Sequence, residues 1–312
     1  MRKAKPLDSI LEAIGDTPVV RLGRIVPDDV AAVYAKIESF NPMGSVKDRI
    51  AKGMIDDAEK RGFIREGTTI IEPTSGNMAI GLAMVCAVRG YRLVLTMPDT
   101  MSVERRRLLE ALGAELVLTP GDQGMSGAIQ RAEDLSRTVA GSIVLQQFKN
   151  ESNPETHART TAVEITEAFD SLDAFVAGVG SGGTISGVGR VLKRKFPGIK
   201  IIAVEPADSA VLSGKKPGAH GIQGIGAGFV PEILDTSIYD SVVAVSTEDA
   251  STTARALARR EGLFVGISSG AAVHAALDVA KELGPGKSVL VVLPDTGERY
   301  LSTNLFEGKS HA

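Results

Sequence analysis

Between Lys47 and Leu118 the chain alternates helical and strand-like stretches, and that order constrains its fold more than any other feature. A helix opening near Ser45 carries Ala51, Met54, Ile55 and Ala58 at helical spacing and ends near Gly62. Thr69-Ile70-Ile71-Glu72 reads as a strand, Met78 to Arg89 as a helix with Gly90 as its left-handed cap, and Leu93-Val94-Leu95 as a strand. Ser102 to Leu112 reads as a capped helix closed by Gly113, and Glu115 to Leu118 as the next strand. Parallel neighbours need a crossover, which a helix supplies, so the βαβα order predicts a parallel sheet covered by helices. After Gln146-Gln147-Phe148 a second series predicts a helix over 155–169, a strand over 175–177, a helix over 184–196 and a strand over 201–204. It closes with a strand over 242–245, helices over 247–260 and 268–283, and a strand over 289–293. Upstream, 19–22 and 33–37 are strand candidates, residues 1–13 a short helix or arm, and the glycine- and proline-rich stretch 208–240 an excursion from the series. A chain of 312 residues is long enough for two domains with separate cores.

Composition removes several classes of function. A net charge of −3, with basic runs only at 105–107 and 193–195 inside amphipathic helices, offers no footprint for a polyanion, so nucleic acid is not an expected partner. The longest apolar runs, such as 80–88, are too short to span a bilayer, and Met1-Arg2-Lys3 precedes no apolar segment, so the expected location is the cytoplasm. Cys86 is the only cysteine and lies in an apolar helical context, which reads as a core thiol rather than a nucleophile. The four histidines show no ligand spacing, and no metal is expected.

Chemistry concentrates at turns that lead into helices. Asn41-Pro42-Met43-Gly44 is turn chemistry, and Ser45 with Asp48 resembles a capping box, which places Lys47 in a first helical turn. A cation there faces the positive end of the helix dipole, which favours the neutral amine that Schiff-base chemistry needs. On local pattern alone, a solvated surface lysine is the better reading. The strand at 175–177 runs into Gly178-Val179-Gly180-Ser181-Gly182-Gly183-Thr184 and then a helix, a combination suited to cradling a phosphate on backbone amides. A dinucleotide loop has the same local form and wants an acidic residue after the next strand; Glu205 stands there, so spacing leaves both readings open. Thr74-Ser75-Gly76-Asn77-Met78 is a second anion site by the same logic, or an ordinary βα turn capped by Thr74 or Ser75. Gly266-Ile267-Ser268-Ser269-Gly270 is a third such turn, in which the serines would serve as caps, and 220–229 holds too many glycines for a helix or strand and reads as a lid.

Asn-Pro-x-Gly-Ser-Val-Lys-Asp-Arg at 41–49 resembles the cofactor-lysine motif of the cysteine synthases, the O-acetylserine sulfhydrylases, among the fold-type II pyridoxal-phosphate enzymes. The resemblance runs from about Ile14 to Phe306 and takes in the turns at 74–78, 178–184, 266–270 and 220–229 and the segment Pro294-Asp295-Thr296-Gly297-Glu298-Arg299-Tyr300. It implies a two-domain α/β fold like the tryptophan synthase β subunit, each domain a mostly parallel sheet covered by helices. The smaller, substrate-side domain would span 39–148. The larger, cofactor domain would take 15–38 together with 149–312, so that the first two strands join its sheet.

For the site the resemblance implies pyridoxal 5′-phosphate on Lys47, its phosphate held by Gly180, Ser181, Gly182, Gly183 and Thr184, its ring oxygen by Asn77 and its pyridine nitrogen by Ser268. The substrate carboxylate would rest on Thr74, Ser75, Gly76, Met78 and Gln147, with the Gly224 segment lining the substrate side chain. Two positions depart from the family, which commonly has threonine at Ser181 and at Met78; a hydroxyl survives at the first and is lost at the second. The implied reaction is a β-replacement of O-acetyl-L-serine by sulfide through α-aminoacrylate, giving L-cysteine and acetate. A homodimer and a complex with serine acetyltransferase are implied partners. The rivals are a cystathionine β-synthase-like or O-phosphoserine-using reaction, or a non-catalytic docking role toward serine acetyltransferase.

Overall fold

The computed structural model describes residues 6–74 and 76–307. The chain divides into two compact units, one of Met1–Gly15 and Asn41–Ser152, the other of Asp16–Phe40 and Asn153–Ala312. Strands β1 (Val19–Arg21) and β2 (Ala32–Ile37) come first and belong to the second unit. The chain then enters the first unit, with α1 (Lys47–Lys60), β3 (Thr69–Pro73), α2 (Asn77–Arg89), β4 (Arg92–Pro98), α3 (Val103–Ala111), β5 (Glu115–Thr119), α4 (Gly124–Thr138) and β6 (Ser142–Val144).

These strands pair in the order β5-β4-β3-β6, all parallel. Alternation along β3 sends Ile70 to the side of Leu93, Leu95, Met54 and Ile80, and Ile71 to the side of Val94 and Ala132 of α4. Gly90 ends α2 in the left-handed region at φ 74° and donates to the Cys86 carbonyl, and the Ser102 hydroxyl caps α3. Cys86 is 2% exposed in the core, and burial pushes its thiol up to about 12, as a core thiol requires.

The second unit continues with α5 (Ser152–Arg159), α6 (Thr161–Ala168), β7 (Ala174–Gly178), α7 (Gly183–Lys195), β8 (Lys200–Pro206), β9 (Ser241–Val245), α8 (Thr247–Ala256), α9 (Ile267–Leu283) and β10 (Ser288–Leu293). Its sheet runs β1-β2-β10-β7-β8-β9, parallel except for β1 against β2. Lys36 of β2 is fully buried, meets Glu164 of α6 at 2.7 Å and donates to the Thr17 carbonyl at 2.9 Å, which ties the early strands to a helix late in the chain.

Three local expectations differ from the structure. The single helix expected over 155–169 is two, because the backbone at Thr160 turns to φ −121°, ψ −76° while its hydroxyl donates to the Thr156 carbonyl. The helix expected to reach Arg260 leaves α-geometry at Ala256 and ends in a π-helical turn, Leu257–Glu261. Helix α4 and strand β6 stand where no element is expected.

Candidate active site

Lys47 is the first residue of α1 and is half-buried. The turn before it closes with Gly44 N–H donating to the Asn41 carbonyl at 2.8 Å, and Gly44 takes φ 70°, which glycine adopts without steric cost. The capping box expected from Ser45 and Asp48 does not form in that register. The Ser45 hydroxyl accepts from the Lys47 amide at 3.2 Å, and Asp48 reaches back past Ser45 to accept from the Met43 amide at 2.6 Å. Both side chains therefore brace the backbone that leads into Lys47. Gly81 of α2 completes the support: a Cβ there would lie 3.0 Å from the Lys47 carbonyl oxygen and 3.1 Å from Ala51, so a larger residue would press on α1 at Lys47.

In the same unit β3 leads through Thr74 and Gly76 into α2, while Ser75 lies outside the described residues. Gly76 occupies the N-cap position with no side-chain cap, so Thr74 does not cap the helix, and no acidic residue stands in the first turn. The leading amides of α2, starting with Asn77 and Met78, lack intrahelical acceptors and suit an anion. Met78 is only 2% exposed, and its side chain packs in the apolar cluster of this unit. What Met78 offers a ligand is its backbone N–H. Gln147 is 9% exposed, and its amide donates to Glu72 Oε1 at 3.3 Å, which brings it within reach of the β3 end that precedes Thr74. The sequence reading gave Glu72 no role.

The second unit gathers another set. Gly182 caps α7 at φ 85° without a side-chain bond, and the first turn of α7 holds no acidic residue. Ser181 Oγ accepts from Asn153 Nδ2 at 3.0 Å, and Thr184 Oγ1 lies 3.2 Å from His157 Nε2, whose other ring nitrogen lies 2.9 Å from Thr161 Oγ1. Asn153 and His157 thus orient the two hydroxyls, and neither carries a motif that sequence would reveal. A Cβ on Gly183 would overlap Asn153 Oδ1, and one on Gly180 would overlap the Gly224 carbonyl. A Cβ on Gly224, itself at φ 94°, would stand 3.7 Å from the Ser268 hydroxyl, which links the α7 turn to the start of α9.

Gly266 caps α9 with no side-chain bond, so neither Ser268 nor Ser269 serves as the cap. A Cβ on Gly266 would overlap the Asp295 carboxylate, which accepts from Tyr300 Oη at 2.6 Å and so fixes the last motif segment against this turn. Glu205, the residue a dinucleotide loop would need for a ribose, is 2% exposed and accepts from the amides of Leu212 and Ser213 and from the Ser213 hydroxyl. Its acceptors are directed into the protein, which removes the local case for a dinucleotide. Uncapped amides at α7, two oriented hydroxyls and no carboxylate form a donor set that fits a phosphate monoester, and Ser268 supplies a neutral hydroxyl for a ring nitrogen. The residues present therefore fit pyridoxal phosphate.

Among the described residues no helix is long and apolar enough to cross a membrane, and no three His, Cys, Asp or Glu side chains group as a metal site. Residues 10–295 match the family of pyridoxal-phosphate dependent enzymes. The chain is 56% identical over 304 residues to a cysteine synthase of Staphylococcus aureus, covering 97% of this chain and 98% of the relative. A crystal structure of cysteine synthase from Entamoeba histolytica superposes with a TM-score of 0.95 at 44% identity, covering 100% of this chain and 94% of the other. That of an O-acetylserine dependent cystathionine beta-synthase from Helicobacter pylori gives 0.91 at 40% identity, covering 97% and 100%.

Proposed function

The chain belongs to the cysteine synthase family of pyridoxal-phosphate dependent enzymes, and from that premise we propose that it replaces the acetoxy group of O-acetyl-L-serine with sulfide, giving L-cysteine and acetate. The observation that carries the reading is Lys47, the first residue of a helix and braced by Ser45, Asp48 and Gly81, in a chain similar to cysteine synthases over nearly its whole length.

Pyridoxal phosphate, when bound, supplies a sink for the electron pair left on the substrate Cα as its proton departs. The protein does the rest. Lys47 Nζ would hold the cofactor, and as a free amine it takes the substrate Cα proton as general base. Acetate leaves from Cβ, sulfide adds to the same carbon, and Lys47 returns a proton to Cα, so the kinetics are ping-pong. Gly180, Ser181, Gly182, Gly183 and Thr184 would hold the phosphate, and Asn77 would bond the ring oxygen. Ser268 would bond the pyridine nitrogen, and a neutral hydroxyl there would suit β-elimination better than transamination. Thr74, Ser75, Gly76, the Met78 amide and Gln147 receive the substrate carboxylate, and Gly224 lines the space beside its Cβ.

In this reading the unit holding Lys47 is the substrate-side domain, the other is the cofactor domain, and the enzyme is a transferase. It works in the cytoplasm, a reading that rests on its short apolar runs, as a homodimer with serine acetyltransferase as a partner, two assignments that follow the resemblance alone. Purified protein should show a visible absorption band that shifts with O-acetylserine. Borohydride reduction followed by peptide mapping should place the label on Lys47. Lys47→Ala should keep the fold and lose both the band and nearly all turnover. Label on another lysine would overturn the assignment, and a cofactor-loaded protein that binds a serine acetyltransferase tail without consuming O-acetylserine would point to the docking role instead.

A further inference from the structure

Glu72 follows Ile70 and Ile71 in β3, one residue before its last, Pro73, and is 2% exposed. Its carboxylate accepts three consecutive backbone amides of one short segment: Leu145 and Gln146 donate to Oε2 at 3.0 and 3.1 Å, and Gln147 donates to Oε1 at 3.3 Å. That segment is built for the purpose. Gln146 sits at φ 59°, a region where a side chain is strained, and the Gln146 carbonyl accepts from the amides of Lys149 and Asn150. Asn150 Nδ2 adds a bond to the Leu145 carbonyl at 2.9 Å. Removing Glu72 would leave the buried amides of Leu145 and Gln147 and the part-buried amide of Gln146 without this acceptor.

Resting on the reading of Gln147 as a ligand of the substrate carboxylate, we propose that Glu72 is the positioning residue of that ligand, and that its ionised form holds Gln147 in place more firmly than its protonated form. A carboxylate accepts at both oxygens, whereas the acid keeps one good acceptor and one hydroxyl. Burial raises the Glu72 pKa to about 7 against the opposing effect of the three amides, which puts the change of grip in the neutral range.

Burial and the three amides, rather than a neighbouring charge, set the titration of Glu72, and the charged groups of β4 and α4 stand away from it. In β4 the one charge, Arg92, lies across from Thr69 at the far end of β3 and is bound to Glu115, while Leu95 stands opposite Glu72. Strand β6 carries no charge, and α4 packs on the Ile71 side of the sheet, its Arg131, Glu133 and Arg137 exposed and Asp134 partly so. Lys149 follows Gln147 in the held segment itself.

The test uses holoenzyme and L-alanine, which carries the same α-carboxylate without a leaving group, followed by the absorbance change on binding between pH 5.5 and 8.5. In Glu72→Gln the carboxamide oxygen can serve Leu145 and Gln146 together, which turns the NH2 toward the Gln147 amide and releases that residue. The half-saturating concentration at pH 8.5 should rise about tenfold, and the gap to wild type should close toward pH 5.5, where wild-type Glu72 is itself neutral. No gap, or a gap equal at every pH, overturns the proposal. Gln147→Ala gives a second test that does not require a folded Glu72 variant: its affinity should be lower than wild type's and should lack the step near pH 7. A Gln147→Ala enzyme that binds as wild type does overturns the reading of Gln147, whereas one with weakened binding that keeps the step overturns the role of Glu72 alone.

Discussion

At Met78 the resembled family commonly carries a threonine, and the structure shows what methionine does there instead. Its side chain joins the cluster of Ile50, Met54, Ile80 and Leu82 under α1 and α2, and its amide stands in the first turn of α2, where no helical carbonyl lies one turn back. Met78→Thr would shorten a buried apolar side chain and place a hydroxyl in that cluster. The expected result is a loss of about 1–3 kcal/mol on denaturant unfolding, with amino acid affinity improving by no more than a few fold. A variant as stable as wild type, with affinity raised tenfold or more, would mean that position 78 faces the ligand after all. The sequence exposed this position as a departure from its family but could not tell which way the side chain points, because N2 of a helix reveals its orientation only through what packs beside it. Glu72 was hidden for the opposite reason. An acidic residue at a strand end looks ordinary until the segment at 145–147, distant in sequence, folds onto it.

Elements with many apolar residues, such as α1, α2 and β10, are legible in the sequence to within about two residues: α1 sets Ala51, Met54, Ile55 and Ala58 along one face, while α2 and β10 are apolar all round and are delimited by the turns that flank them. Helix α4 opens on Gly-Met-Ser-Gly, whose two glycines mask its start, although Met125, Ala128, Ile129, Ala132 and Leu135 recur at helical spacing. Strand β6 is three residues long and only half-buried, too short for alternation to register. The α7 turn was legible as a phosphate cradle, yet the reason for one of its glycines lies in its neighbours. Gly183→Val would drive Cβ into Asn153 Oδ1 and thereby pull Asn153 from the Ser181 hydroxyl. It should weaken retention of pyridoxal phosphate through that displacement, measured as cofactor lost on dialysis. Asn153→Ala should reproduce part of the loss with Gly183 intact; full retention in Asn153→Ala would place the effect of Gly183 in the backbone alone.

For the whole molecule, the chain crosses between its two units at residues 15–16, 40–41 and 152–153, and β2 reaches the second sheet by pairing with β10, from Ala32 opposite Ser288 to Ile37 opposite Leu293. Local pattern records which face of a strand is buried but not which strand lies beside it, so this pairing entered the sequence reading only through family resemblance. Because the units have separate cores, unfolding need not be a single transition, and Glu72 reports on the unit that contains β3. Its pKa is raised by burial to about 7 from 4.5, so the folded form binds a proton more tightly than the unfolded one. The stability it contributes is therefore complete below about pH 4.5 and is lost as pH rises through about 7. Glu72→Gln removes this titration while every other group stays in place. On going from pH 5 to pH 8 the stability difference should move in the variant's favour by on the order of 3 kcal/mol, read from denaturant midpoints at each pH. A difference that stays level across that range would mean that Glu72 is ionised throughout and that its three amides outweigh its burial.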